Sequence, residues 1–97
     1  MYASIRKAKA NPGAVAEISR RIQESFLPII SQVPGFKAYY AVDLGGDMLA
    51  TVSIFANRAG AEESGRRAAD WVQRDLAPLM ASPLEIMTGE VIAHQAA

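Results

Sequence analysis

The chain has 97 residues, 51% of them hydrophobic and 21% charged, which is enough for one core and too apolar for a disordered segment. Ten basic residues balance ten acidic ones, removing the long-range positive field that gathers nucleic acid or an anionic membrane surface. Cysteine is absent, which excludes disulfides, a thiolate nucleophile and sulfur-ligated metals.

From Tyr2 to about Ala8 the run YASIRKA reads as a first strand, closed by the turn signal Asn11-Pro12-Gly13. Asn11 is placed to cap a helix that starts at Pro12, where no backbone N–H is needed. At helical spacing Val15, Ile18, Ile22, Phe26, Ile29 and Val33 share a face, with Glu17, Arg20, Arg21 and Glu24 off it. Pro28 is expected to kink this helix, and Pro34-Gly35 to end it.

Phe36 to Phe55 reads as a hairpin with Gly45 and Gly46 at its tip. A short loop there predicts Phe36, Ala38, Tyr40 and Val42 opposite Phe55, Ser53, Thr51 and Leu49 on one face. Lys37, Tyr39 and Ala41 then oppose Ile54, Val52 and Ala50 on the other. Asn57 caps a second helix running to about Met80, with Ala61, Gly65, Ala68, Val72, Leu76 and Leu79 as its inward stripe. Ser82-Pro83 stops it, and residues 84–95 read as a long last strand with a bend at Gly89.

The order β-α-β-β-α-β predicts one α+β domain over residues 1–97: a ferredoxin-like sandwich in which two helices cover one face of a four-stranded antiparallel sheet. Both parities of the hairpin are largely apolar, so whichever face the helices leave bare exceeds the apolar patch that a monomer ordinarily exposes. A second copy is the economical cover, and a two-fold homodimer with sheets face to face is expected. The N-terminus lacks the apolar core of a signal peptide, and no apolar run approaches about 18 residues. A cytoplasmic chain with no membrane and no nucleic-acid partner is the expectation. RNA binding of the RRM type shares the element order but needs aromatic and basic residues on the third strand, where MLATVSIF supplies one aromatic and no base.

Few residues carry chemistry. Trp71 falls at the border of its helix stripe, either as a core-edge aromatic with its indole N–H outward or as the wall of an aromatic-ligand pocket. Tyr39 and Tyr40 point to opposite sides of their strand, so one can line a pocket and the other belongs to the dimer interface. Tyr40, Thr51 and Ser53, between Phe36 and Phe55, form a hydroxyl-bearing strip suited to a flat phenolic ligand, or bond only to nearby backbone and water. His94 is the single side chain that ordinarily titrates near neutrality, and it is either a general base or part of a solvated terminus. No carboxylate pair, Ser/His/Asp set, metal-ligand spacing or phosphate loop occurs, so no metal or cofactor is expected.

Asn11-Pro12-Gly13 opening the first helix, VPGFKAYY entering the second strand, and an aromatic followed by NRAGAEES after the third resemble the antibiotic biosynthesis monooxygenase (ABM) family of the dimeric α/β-barrel superfamily. The resemblance spans residues 2 to 94. It implies cofactor-independent monooxygenation of a small aromatic or quinone-like compound but carries over no catalytic residue; the candidates remain those read from the residues themselves, His94, Tyr40 and Trp71 for catalysis and Phe36, Thr51, Ser53 and Phe55 for substrate contact. The alternative is a dimeric protein that binds a small metabolite without turnover. Haem-degrading relatives use an Asn on the first strand with a helix Trp and His. Here Ser4 stands at the strand centre and the only histidine is His94, so that activity is not implied.

Overall fold

The computed structural model describes residues 1–97. Strands β1 (Tyr2–Lys9), β2 (Phe36–Gly45), β3 (Met48–Phe55) and β4 (Glu85–Glu90) form one antiparallel sheet in the order β2-β3-β1-β4. Helix α1 covers residues 15–30 and helix α2 residues 58–79, both packed on the same sheet face. This is the ferredoxin-like α+β sandwich. No helix is long and apolar enough to cross a membrane.

Each helix changes pitch before a proline. In α1 the α-helical Val15–Arg21 widens into a π turn at Ile22–Phe26 and regains α geometry over Leu27–Ile30, with Pro28 in that last segment. In α2 the α-helical Arg58–Trp71 is followed by a π turn at Val72–Leu76 and a 3-10 turn at Ala77–Leu79, which holds Pro78. A proline ring collides with the carbonyl four residues back in a regular helix, and a wider turn there relieves the collision. The kink expected at Pro28 therefore takes the form of a π turn.

Asn57 caps α2 as expected, its side chain accepting from the Gly60 N–H at 2.8 Å. Asn11 does not cap α1. Gly13 adopts a left-handed φ of 79°, so the chain turns once more and the helix begins at Val15. Asn11 instead donates from Nδ2 to the Pro78 carbonyl at 2.8 Å, tying the β1–α1 turn to the end of α2.

The hairpin register differs from the expected one. Phe36 faces Phe55, but a bulge between Phe36 and Ala38 then places Tyr39 opposite Ser53, Tyr40 opposite Val52 and Ala41 opposite Thr51. The extra residue shifts β2 by one position, and a one-residue shift exchanges its two faces. A second irregularity between Asp43 and Gly45 moves the tip to Gly46 and Asp47, whose φ values of 61° and 64° suit a two-residue hairpin turn. The last strand is also shorter than expected, ending at Glu90 opposite Tyr2 with one further bond from the Val91 N–H to the Met1 carbonyl at 2.9 Å.

The core lies between helices and sheet, built around Ile18, Ile22, Phe26 and Ile30 from α1, Trp71 and Leu76 from α2, and Phe55 from the sheet. Small residues let α2 approach the strands closely: a Cβ on Gly60 would stand 2.8 Å from Phe55 Cδ1 and 2.9 Å from the Pro34 carbonyl oxygen. The opposite sheet face carries a row of Tyr40, Val52, Ile5 and Met87 across all four strands. Tyr40 is 60% exposed there, and Ile5 and Met87 are also open to solvent.

Candidate functional site

Alternation along β1 sends Ser4, Arg6 and Ala8 toward the helices and Ile5 and Lys7 away from them. Arg6 is consequently only 2% exposed. Its inward neighbours are small: Ser4 on its own strand, Thr51 and Ser53 on β3, and Ser64 on α2. The space they leave is filled by the arginine, and their hydroxyls solvate it. Nε donates to Thr51 Oγ1 at 2.9 Å, Nη1 to Ser4 Oγ at 3.0 Å and Ser64 Oγ at 3.5 Å, and Nη2 to Ser53 Oγ. The Ser64 hydroxyl donates its own hydrogen bond to the Ala61 carbonyl at 2.7 Å, leaving its oxygen free to accept.

Two aromatic rings complete the surroundings. The guanidinium carbon lies 5.8 Å from the Tyr39 ring centre and 6.0 Å from that of Phe26, at the outer reach of a cation–π contact. Phe26 in turn packs against Tyr39 at 5.7 Å and Trp71 at 5.0 Å between ring centres. Burial lowers the affinity of the guanidinium for its proton, the adjacent Tyr39 opposing this, and an arginine stays charged at neutral pH regardless. Burial likewise raises the Tyr39 phenol above its ordinary value, with Arg6 and Thr51 acting against it. Tyr39 is thus a neutral phenol near pH 7 and supplies no countercharge.

No carboxylate compensates Arg6. All the ion pairs run along outer helix faces: Arg20 and Arg21 with Glu17, Arg20 with Glu24, Arg58 with Glu62, and Arg66 and Arg67 with Glu63. Trp71 is 3% exposed, and its Nε1 is a buried donor with no acceptor. Arg6, Tyr39, Thr51 and Trp71 border the same small cavity of about 40 Å³, whose other walls include Ile22, Leu76 and Met80. Ile18, Ile22 and Leu49 also line an open groove of about 340 Å³ that reaches Val15 and Ala41. These three side chains are therefore the partition between chamber and groove.

The residues singled out in the sequence divide accordingly. Trp71 and Thr51 border the chamber. Ser53 binds the guanidinium, while Phe36 and Phe55 pack edge to face at 5.8 Å at the far end of the hairpin. Trp71 is not at a solvent border with its indole outward: the flank of α2 beyond the sheet-facing stripe meets Phe26 of α1, so the indole is enclosed on both sides. Tyr40 does not share a face with Thr51 and Ser53; the β2 bulge gives that place to Tyr39 and turns Tyr40 to the bare face. His94 is exposed in residues 91–97, which have no regular structure, and it does not border the chamber. Arg6 was not anticipated, because a basic residue in YASIRKA reads as a solvent-facing charge. The available signal was the set of small hydroxyl residues at inward positions around it, Ser4, Thr51, Ser53 and Ser64. No group of three His, Cys, Asp or Glu side chains is placed to hold a metal ion.

No protein-family model and no curated protein sequence matches the chain. Solved structures do. A protein of unknown function from Nitrosomonas europaea, NE2512, is 26% identical with a TM-score of 0.80, the match covering 99% of this chain and 93% of that one. The monooxygenase ActVA-Orf6 of Streptomyces coelicolor, in complex with nanaomycin D, is 12% identical with a TM-score of 0.77, over 99% and 91% of the two chains. A variant of MhuD with two manganese protoporphyrin IX molecules per active site is 16% identical with a TM-score of 0.76, over the whole of both chains. The chain has the α+β fold common to the ABM-like structures.

Proposed function

We propose that this protein is an ABM-like homodimer, joined through its bare sheet faces, that takes a small aromatic or quinone-like compound between helices and sheet and oxidises it with molecular oxygen without a bound cofactor. The observation that carries the reading is the convergence of a buried cation, Arg6, and an unpartnered donor, Trp71 Nε1, on an otherwise apolar, aromatic-walled chamber. Such a site holds a flat ligand by its ring faces and directs one polar end of it. A phenol with a free para position balances the reaction: one atom of O2 becomes the new carbonyl oxygen of the quinone. The other leaves as water with the ring and hydroxyl hydrogens. A cation beside the substrate oxygen favours the electron-rich phenolate, which reacts with oxygen most readily, and the dry chamber protects it.

The dimer is supported by the Tyr40, Val52, Ile5 and Met87 row, an apolar stripe across a whole sheet that a second copy can cover with its own. Sedimentation at micromolar concentration checks it, the expected species having twice the chain mass. The reaction is tested by oxygen uptake with naphthols and dihydroxynaphthalenes, for which one O2 per substrate and a quinone product are expected. No uptake across such a panel removes the oxygenase reading.

One observation favours binding without turnover. The chamber is about 40 Å³, well below the roughly 300 Å³ of ordinary ligand pockets, because Phe26, Tyr39 and Trp71 fill most of the space. A bicyclic ligand enters only if the Ile18, Ile22 and Leu49 partition gives way to the groove. Ligand-induced change in Trp71 emission with no oxygen uptake is the outcome that selects this second reading.

A further inference from the structure

A charged side chain withdrawn from water is tolerated when an opposite charge or a full set of hydrogen bonds replaces its hydration. Arg6 has only neutral hydroxyls, one of them at 3.5 Å, and two ring faces at the limit of contact. A guanidinium has five N–H donors; four go to Thr51, Ser4, Ser64 and Ser53, and the acceptor beside the remaining one is the Tyr39 hydroxyl, so every partner is neutral. Trp71, another of the residues that line this chamber, has a buried indole N–H without an acceptor. The chamber thus has a surplus of positive charge and donors, and its lining has no carboxylate or histidine to supply an acceptor or to remove a proton from a ligand.

We infer that the chamber is an oxyanion site: a ligand with a planar apolar body is held in its ionised form, one carboxylate or phenolate group lodging between the Arg6 guanidinium and Trp71 Nε1 while the body lies toward the groove. The assignment rests on the reading of this pocket as the ligand site, and it names the class of ligand that the pocket selects. Two features fit an anionic head over a neutral one. The volume beside Arg6 suits a group of a few atoms, and Tyr39, held neutral by burial, leaves the positive charge for the ligand to balance.

The chain contains a single tryptophan, so Trp71 emission reports directly on the chamber. Benzoate and benzamide have nearly the same shape and differ in charge. Titrated against the intact protein, benzoate is expected to change Trp71 emission with a dissociation constant at least tenfold lower than that of benzamide. In Arg6→Met the advantage is expected to vanish, and in Arg6→Lys to be partly retained. Equal affinities in the unaltered protein, or a response to benzamide alone, overturn the site even if neither variant folds. Chloride displacing benzoate at equal concentration reduces the occupant to an inorganic ion and overturns the planar-body part. Oxygen uptake, measured separately, keeps the two readings apart: anion preference without uptake removes the oxygenase and leaves the anion site. Uptake with neutral substrates and no anion preference removes the anion site alone.

Discussion

Trp71 and Phe26 pack with ring centres 5.0 Å apart and planes inclined at 37°, so the contact between the two helices is an aromatic pair in which one member keeps an unused N–H. Such a pair adds about 0.5–1.5 kcal/mol to what its burial contributes, whereas an unpartnered buried donor costs about 1–3 kcal/mol. The two effects nearly cancel. Trp71→Phe is therefore expected to change stability by less than about 1.5 kcal/mol, and Trp71→Ala to cost about 3–5 kcal/mol through the cavity it opens. Urea denaturation reads both. A stability loss in Trp71→Phe as large as that in Trp71→Ala would mean that the indole nitrogen has a partner after all.

Arg6→Met replaces a buried cation by an apolar chain of similar length. No countercharge is stranded, but the buried Ser4, Thr51 and Ser53 hydroxyls lose their donor, so the exchange is expected to leave the protein folded at a cost of about 1–3 kcal/mol. Thermal unfolding with and without benzoate is the measurement. A collapse of the fold in Arg6→Met would assign the arginine to structure.

Close approach of α2 to the sheet depends on Gly60. Alanine there improves helix propensity by up to about 1 kcal/mol, but its Cβ would meet the Phe55 ring at 2.8 Å and the Pro34 carbonyl oxygen at 2.9 Å. Backbone does not yield as a flexible side chain does, so Gly60→Ala is expected to be destabilising by about 1–3 kcal/mol. Gly89→Ala meets nothing within 4 Å and serves as the control, with a change under about 0.5 kcal/mol. Denaturation midpoints of the two variants compare them.

Val52 sits in the middle of the bare sheet face, between Tyr40 and Ile5. Lysine at this position stays solvated in a lone subunit and is stripped of water in a face-to-face pair. Val52→Lys is expected to weaken dimerisation at least a hundredfold while leaving the circular dichroism spectrum unchanged. Sedimentation across a concentration series tests this. An unaltered dimer would place the contact on another surface.

Hydrogen bonds from Arg20 and then Arg21 hold the Glu17 carboxylate at about 2, well below its ordinary 4.5. A lowered folded-state value means that the contribution is complete above about 4.5 and fades as the pH drops toward 2, where the carboxylate protonates in the folded chain as well. Glu17 is on the surface, so the effect is small and sensitive to salt. Glu17→Gln is expected to lower stability slightly near neutrality and to flatten the profile between those two pH values, the difference from the unaltered protein vanishing toward pH 2, which acid titrations of both proteins followed by circular dichroism measure.

The fold was legible because periodicity and punctuation agreed: Asn57 before a helical run, Pro34-Gly35 before an alternating one, glycines at the hairpin tip. Much of the chamber lining was legible too, but Tyr39, Arg6 and the enclosure of Trp71 were not, for three separate reasons. A bulge at the start of β2 leaves no mark in the pattern, since Tyr39 and Tyr40 are equally acceptable on either face, and the one-residue shift decided which of them met Arg6. The inward direction of Arg6 is set by Ser4 and Ala8 on the same parity, and a lone basic residue among them looks like an outward one. Trp71 was judged against the sheet alone, although a helix in this sandwich has a second neighbour, and α1 covers the flank that the sheet does not.

The two π turns have a bearing on the shape of the chamber. Ile22 and Phe26 bound one of them, Val72 and Leu76 the other, and all four side chains line the chamber. The lid over Arg6 is thus made of the helical segments whose main-chain ladder is out of step, held there by Pro28 and Pro78. A helix that has one residue to spare in a turn can slide that surplus along its axis without unfolding. A surplus residue gained or lost in either helix would therefore move the chamber's own walls.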